Sequence, residues 1–217
     1  MHAQPQGLIK SAATPRKTRG VGASRRDEIL AAAKKLYLTE GFEHATIRKI
    51  AAAVGVSSGA LYLYFPDKDA ITRALAEETF GALLVRLEQA RLSGGSPLER
   101  LRAGMQAYVD FGRAHPDEYR LTFLSKMLNE ANPGRCAHRG DIEAADRSFN
   151  ILLGEASELI ASGVFREIDP VTAAEALWCC MHGATSVLLD HADHLTTDLD
   201  RLAETVIDIT LKGLCRS

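Results

Sequence analysis

Between Ser57 and Lys68 the run SSGALYLYFPDK sets small and hydroxylated side chains beside two tyrosines and a lysine, with an apolar residue recurring at helical spacing. If Leu61 and Phe65 turn inward, the outward face offers Ser57, Ser58, Gly59, Ala60, Tyr62 and Leu63. No Arg, Lys, Asn or Gln stands there to make a bidentate base contact. Hydroxyls, methyl contacts to thymine and the shape of the duplex are what such a surface can read, so its chemistry is DNA binding, the alternative being an αα-hairpin that merely packs.

Other residues with chemical potential lack the company that chemistry needs. His191-x-x-His194, flanked by Asp190 and Asp193, has metal-like ingredients but sits where a helix gives way to a polar loop, with no further ligand nearby in sequence. Of four cysteines, Cys136, Cys179, Cys180 and Cys215, none forms a CxxC pair, and Cys179-Cys180 falls in an apolar helix where an inert thiol is expected, with a redox role as the alternative. There is no P-loop, no G-x-S-x-G elbow and no H-E-x-x-H. The expectation is a protein that is not an enzyme and takes no cofactor and no metal. The cysteines, following no secretory signal, point to a reducing, cytoplasmic setting. Without a run of eighteen apolar residues, no membrane span is expected.

The DNA-reading face needs elements to hold it. Thr46 is placed to cap a helix with Ile47, Ile50, Ala51 and Val54 on one face; Gly55 closes it, Val56 fills the corner, and Ser57 caps a second helix that Pro66 stops. This is a helix-turn-helix. A preceding helix from about Arg25 to Glu40, with Ser24 as cap, completes a three-helix unit with a core of Ile29, Leu36, Phe42, Ile47, Ile50, Val54, Leu61 and Phe65. Charge agrees with a polyanionic partner: residues 1–69 hold eleven Lys/Arg against six Asp/Glu in a chain whose net charge is −2. Residues 1–24 read as a flexible basic arm. Up to residue 15 it is a solvated tail, whereas Arg16 to Arg26, including Arg25 and Arg26, either follow DNA phosphates or the minor groove or are merely solvated.

Thr46, Ile50-Ala51, Gly55-Val56-Ser57, Gly59, Leu61-Tyr62, Tyr64-Phe65 and Lys68 resemble, in residue type and order, the DNA-binding domain of the TetR family of bacterial transcriptional regulators. The resemblance implies that Thr46, Tyr64 and Lys68 contact phosphates. Leu63 departs from the polar residue often found at its place in that family, which unsettles any borrowed operator sequence.

The remainder, residues 70–217, reads as helical throughout. Asp67 caps a long helix to about Leu92; Ser93-Gly94-Gly95 breaks it; Ser96-Pro97-Leu98-Glu99 is a capping box for the next. His115-Pro116 introduces a short helix through Tyr119, Phe123 and Met127, residues 129–140 form a loop, and helices open at Asp141, Asp169-Pro170 and Asp198. The fold class is all-α, nine helices, with the helix-turn-helix at residues 25–69 and a ligand-binding and dimerisation domain at residues 70–217. The last two helices are apolar on more than one face, which implies association. In the TetR family the corresponding pair forms a four-helix bundle with its two-fold mate, so a homodimer is implied. Trp178-x-x-x-His182-Gly183, with Pro116-Asp117-Glu118-Tyr119-Arg120 upstream, looks like the Trp-His-Gly type of C-terminal domain in that family; Trp178 and His182 are alternatively plain core residues.

Helices five to eight can enclose a pocket lined by Tyr108, Phe111, Phe123, Phe149, Leu152, Trp178 and His182, a wall suited to a flat or lipophilic ligand. The sequence thus reads as a ligand-responsive regulator, a repressor binding a double-stranded inverted-repeat operator as a dimer and released by a small-molecule effector. The alternative is an all-α small-molecule-binding or interaction protein without specific operator recognition.

Overall fold

The computed structural model describes residues 21–124 and 142–216. Among them are nine α-helices: α1 Val21–Glu40, α2 Ile47–Ala53, α3 Ser58–Leu61, α4 Lys68–Leu92, α5 Pro97–Ala114, α6 Pro116–Tyr119, α7 Glu143–Ala161, α8 Pro170–Asp190 and α9 Leu199–Leu214. A π-helical turn, Arg120–Leu124, continues α6, and a 3-10 turn, Ala192–His194, separates α8 from α9. The β pairing among these residues is an isolated antiparallel bridge between Phe165 and Cys215.

Helix starts are set by side chains that accept from backbone amides the helix itself leaves unpaired. Thr46 accepts from the Lys49 amide at 3.3 Å, Ser57 from Ala60 at 3.1 Å and Asp67 from Ala70 at 2.6 Å. Ser96 and Glu99 form the reciprocal capping box that opens α5. Gly55, at φ 69°, turns the chain between α2 and α3 in the left-handed region.

Three expectations about boundaries are corrected. The first helix already holds Val21 to Ser24, so Ser24 lies within α1 and not at its N-cap; once a helix is nucleated, adding residues at its end is easy. The second helix of the helix-turn-helix, α3, is four residues long, and Tyr62 to Tyr64 form a tighter turn in which the Tyr64 amide donates to the Leu61 carbonyl at 2.9 Å. Pro66 disfavours helical geometry at Phe65, so the chain tightens before it. The short helix after Pro116 is four residues, followed by the π turn. Helix α7 has Ile142 at its N-cap. Residues 1–20 of the arm, Met127, Cys136, the loop at residues 129–140 and the expected start at Asp141 lie outside the described residues.

The expected helix-turn-helix core is present: Ile29, Ile50, Leu61 and Phe65 are buried, and Leu36, Phe42, Ile47 and Val54 pack around them. Burial of each such side chain stabilises by about 1.5–3 kcal/mol. Helix α4 buries Ile71, Thr72 and Leu75 toward its start and Phe80, Leu83 and Leu84 farther along, and one hydrophobic cluster runs from Ile29 through α4 to Leu214.

Candidate functional site

The surface around α3 is open. Tyr62 is 52% exposed and Leu63 85% exposed, the latter an apolar side chain held out with no packing to explain it. Ser57 is engaged as cap, and Gly59 leaves backbone uncovered on the same turn. Ser58 and Ala60 are half-buried and Tyr64 is exposed. Thr46 is exposed at the start of α2, where its hydroxyl accepts from the Lys49 amide.

The basic residues around this face also hold it in place. The Arg25 guanidinium donates to the Val54 carbonyl at 3.1 Å and pairs with Glu28 at 2.6 Å, tying α1 to the end of α2. Arg26 lies over the Phe65 ring, 5.1 Å from its centroid, and 3.9 Å from Glu78 on α4. Lys68 donates to the Phe42 carbonyl and lies 3.7 Å from the Phe42 ring centroid. These contacts fix where the Lys68 ammonium stands at the start of α4.

A cavity of about 850 Å³ opens in the other half, bounded by α4, α5, the π turn, α7 and α8. Tyr108, Phe123, Phe149, Leu152 and Trp178 line it, as the sequence led us to expect, together with Phe80, Leu83 and Met105. Phe111 and His182 are not in its wall. Phe111 is in the core, 1% exposed, against the His115 ring. His182 stands behind the wall. Its Nδ1 is 2.7 Å from the Tyr119 hydroxyl and 3.3 Å from that of Tyr108, and the two hydroxyls are 3.1 Å apart. Burial pushes the Tyr108 phenol up to about 12 and that of Tyr119 far above its usual range, so both stay protonated donors.

This polar knot leads toward the helix-turn-helix half. Phe123, in the cavity wall, packs on Tyr119 with centroids 4.6 Å apart and meets Phe80 edge-on at 4.9 Å. Adjacent to Tyr119, Glu118 pairs with Lys34 of α1 at 2.5 Å. Arg120 anchors the other side of the turn, donating to Asp190 at 2.8 Å and to the Leu189 carbonyl at 2.7 Å. Gly112 brings α5 against α8 closely enough that a Cβ there would meet Thr185 Cγ2 at 2.3 Å.

Sequence reading missed the charged end of the cavity. Arg100, near the start of α5, lies with Nε 3.5 Å from Glu155 and Nη2 2.7 Å from Glu158, both on α7. Residues 55 positions apart in sequence carry no local pattern that announces such a pair. Glu175 and Cys179 of α8 also reach the wall. Among the described residues no group of three His, Cys, Asp or Glu could hold a metal ion, and no helix is long and apolar enough to cross a membrane.

Comparison with known proteins accounts for both halves. Residues 29–75 match the family model described as bacterial regulatory proteins, tetR family, and residues 101–210 match the Tetracyclin repressor-like, C-terminal domain. The chain is 30% identical over 177 residues to the HTH-type transcriptional regulator RutR of Escherichia coli (strain K12), covering 80% of this chain and 78% of that protein. It is 32% identical over 120 residues to the nucleoid occlusion factor SlmA of Haemophilus influenzae (strain PittGG), and that match spans about half of each chain, 54% and 55%. Among solved structures, the TetR family transcriptional regulator PfmR of Thermus thermophilus superposes with a TM-score of 0.65 at 25% identity, over 87% of this chain and 99% of that one.

Proposed function

Because the chain belongs to the TetR family of bacterial regulators, we propose that it is a repressor that binds an inverted-repeat operator as a homodimer and is released by a small lipophilic or aromatic effector. The observation that carries this reading is the apolar cavity of about 850 Å³, whose wall residue Phe123 packs on Tyr119, next to the Glu118–Lys34 pair that reaches α1. An effector that fills the cavity and displaces Phe123 shifts the π turn and α6, and through Glu118 biases the position of α1 and the helix-turn-helix attached to it. Release follows only if the effector binds the released conformation more tightly than the DNA-bound one.

Thr46, Tyr64 and Lys68 take the phosphate contacts in this reading, and Ser57, Ser58, Gly59, Ala60, Tyr62 and Leu63 face the bases, with Arg25 and Arg26 at the flank. The exposed apolar side chains Val187 on α8, 38% exposed, and Ile209 on α9, 66% exposed, support pairing of those helices with a second copy. Trp178 lies 5.6 Å from His182, centroid to centroid, on the run ending at Gly183, which supports membership of the Trp-His-Gly group, with the motif bracing the back of the cavity. The protein works in the cytoplasm, where its operator is.

The test is operator selection from random duplexes followed by a salt titration. The reading requires one inverted-repeat site bound far more tightly than random DNA at near-physiological salt, and its release by a compound that also alters Trp178 fluorescence. Weak, equally salt-sensitive binding to every duplex would identify instead an all-α ligand-binding or interaction protein without operator recognition.

A further inference from the structure

Glu155 is an unusual residue to find in the wall of an apolar cavity. Its side chain is only 8% exposed, Oε1 lies 3.5 Å from Arg100 Nε, and Oε2 is buried with no hydrogen-bond partner. A buried carboxylate oxygen without a donor is costly, so a protein that keeps one has a use for it or supplies the donor from outside. Arg100 does not supply it. Its Nη2 donates to Glu158 at 2.7 Å and its Nη1 to the Gly95 carbonyl at 3.3 Å, which leaves Glu155 the long contact alone. The last torsion of a glutamate is broad, so Oε2 turns between its present position and the cavity at little cost.

We propose that Glu155 is the polar anchor for the effector, and that the effector is an apolar skeleton ending in a hydroxyl that donates to Glu155. This rests on the reading of the cavity as the effector site. A hydroxyl is the donor the site calls for, since it brings the single proton that Oε2 lacks and needs no counter-ion of its own in an apolar wall. Geometry sets the length of the molecule. Arg100 and Tyr108 lie two turns apart on α5, about 12 Å at 1.5 Å per residue, so a ligand anchored at Glu155 reaches the aromatic end with a rigid body of roughly that span. Tyr108 and Phe123, with ring centroids 6.2 Å apart, line that far end.

The experiment compares 4-phenylphenol with biphenyl, which differ by one terminal hydroxyl, in equilibrium dialysis against the full chain. Partition out of water favours biphenyl, so a preference for the phenol runs against transfer and reports a specific partner. The expected result is binding of 4-phenylphenol about tenfold tighter or more, the scale of a hydrogen bond to a charged acceptor. Glu155→Leu should abolish that preference while still binding biphenyl, and Glu155→Gln, which keeps an acceptor oxygen, should retain part of it. Equal affinity, tighter binding of biphenyl, or a preference that survives in Glu155→Leu overturns the anchor while leaving the cavity as the effector site. Binding of neither compound overturns the anchor together with the cavity reading beneath it. The comparison in the unsubstituted protein needs no variant, so it decides the matter even if Glu155→Leu fails to fold.

Discussion

Replacing Gly112 by alanine puts a methyl group where α5 and α8 have no room for one. The Cβ would stand 2.3 Å from Thr185 Cγ2 and 3.2 Å from Tyr119 Cδ2, whereas carbons in contact prefer about 3.5–4.0 Å. Thr185 cannot step aside cheaply: it is fully buried and its hydroxyl donates to the Met181 carbonyl at 2.8 Å. Relief therefore requires the helices to part by roughly 1–1.5 Å, and overpacking of that kind costs about 1–3 kcal/mol. Alanine returns about 1 kcal/mol of helix propensity, leaving a net loss of about 1–2 kcal/mol at the upper part of that range. Gly104, on the same helix, has nothing within 4 Å of the equivalent Cβ, so Gly104→Ala receives the propensity gain alone. The two variants should differ by about 2–3 kcal/mol, and the Tm of a chain this size moves about 2–4 °C for each kcal/mol. Thermal melts at one fixed protein concentration read this directly, since association makes Tm depend on concentration. Thr185→Ser, which removes Cγ2 and keeps the hydroxyl, should recover much of the loss in the Gly112→Ala background. If Gly112→Ala melts at or above Gly104→Ala, the close approach of α5 and α8 is wrong.

Three further outcomes are expected. Lys68→Ala should weaken binding to every duplex and reduce the magnitude of the salt slope by about one counterion; because Lys68 also holds the Phe42 carbonyl, a modest fall in Tm should accompany it, and an unchanged slope removes Lys68 from the phosphate contacts. Half-sites should place thymines against Ala60 or Leu63, so replacing each thymine by uracil, which removes only the methyl, should weaken binding at one position at least, as measured by gel shift. Burial alone would raise the Glu118 carboxyl, but the hydrogen bond and charge of Lys34 hold it below its ordinary 4.5. A carboxyl depressed in the folded state stabilises above its unfolded value and loses that contribution as pH falls through the folded one. The Lys34–Glu118 pair is thus at full strength at neutral pH and fades below about pH 4.5, and Lys34→Met should flatten the fall in Tm over that acid range by the equivalent of at most about 1 kcal/mol. An identical acid profile in the variant shows that the pair contributes nothing.

What was legible in the sequence is what local chemistry decides. Thr46, Ser57, Asp67 and Ser96 announce helix starts because a cap acts within three residues, and Gly55 announces a turn because only its own φ is at stake. Apolar spacing found the helix-turn-helix core and five wall residues of the cavity. It misplaced Phe111 and His182, which lie one turn or less from true wall residues, because a small rotation of a helix moves a side chain from cavity to core. It gave no sign of the Arg100–Glu155 contact or of Lys34–Glu118, since each joins segments more than fifty residues apart. The shortness of α3 was hidden as well: Tyr62 to Tyr64 have the composition of a helix, and the i to i+3 bonding that replaces it comes from how the chain must meet Pro66 and α4.

Helix α4 carries one more consequence. Its 25 residues give Ile71 and Leu75 to the core of the DNA-reading half and Phe80, Leu83 and Leu84 to the core around the cavity, with no break in the helix and none in the hydrophobic cluster. The proposed division of tasks near residue 70 is therefore not a division of folding units. Neither half can lose order without stripping a face of the same helix, so the two should melt as one cooperative foldon, with amide exchange along α4 protected to nearly the full unfolding free energy from Ile71 to Leu84. A rigid rod shared in this way gives little freedom to answer an effector by local fraying; a shift of the π turn and α6 that moves α1 has to carry the whole rod with it.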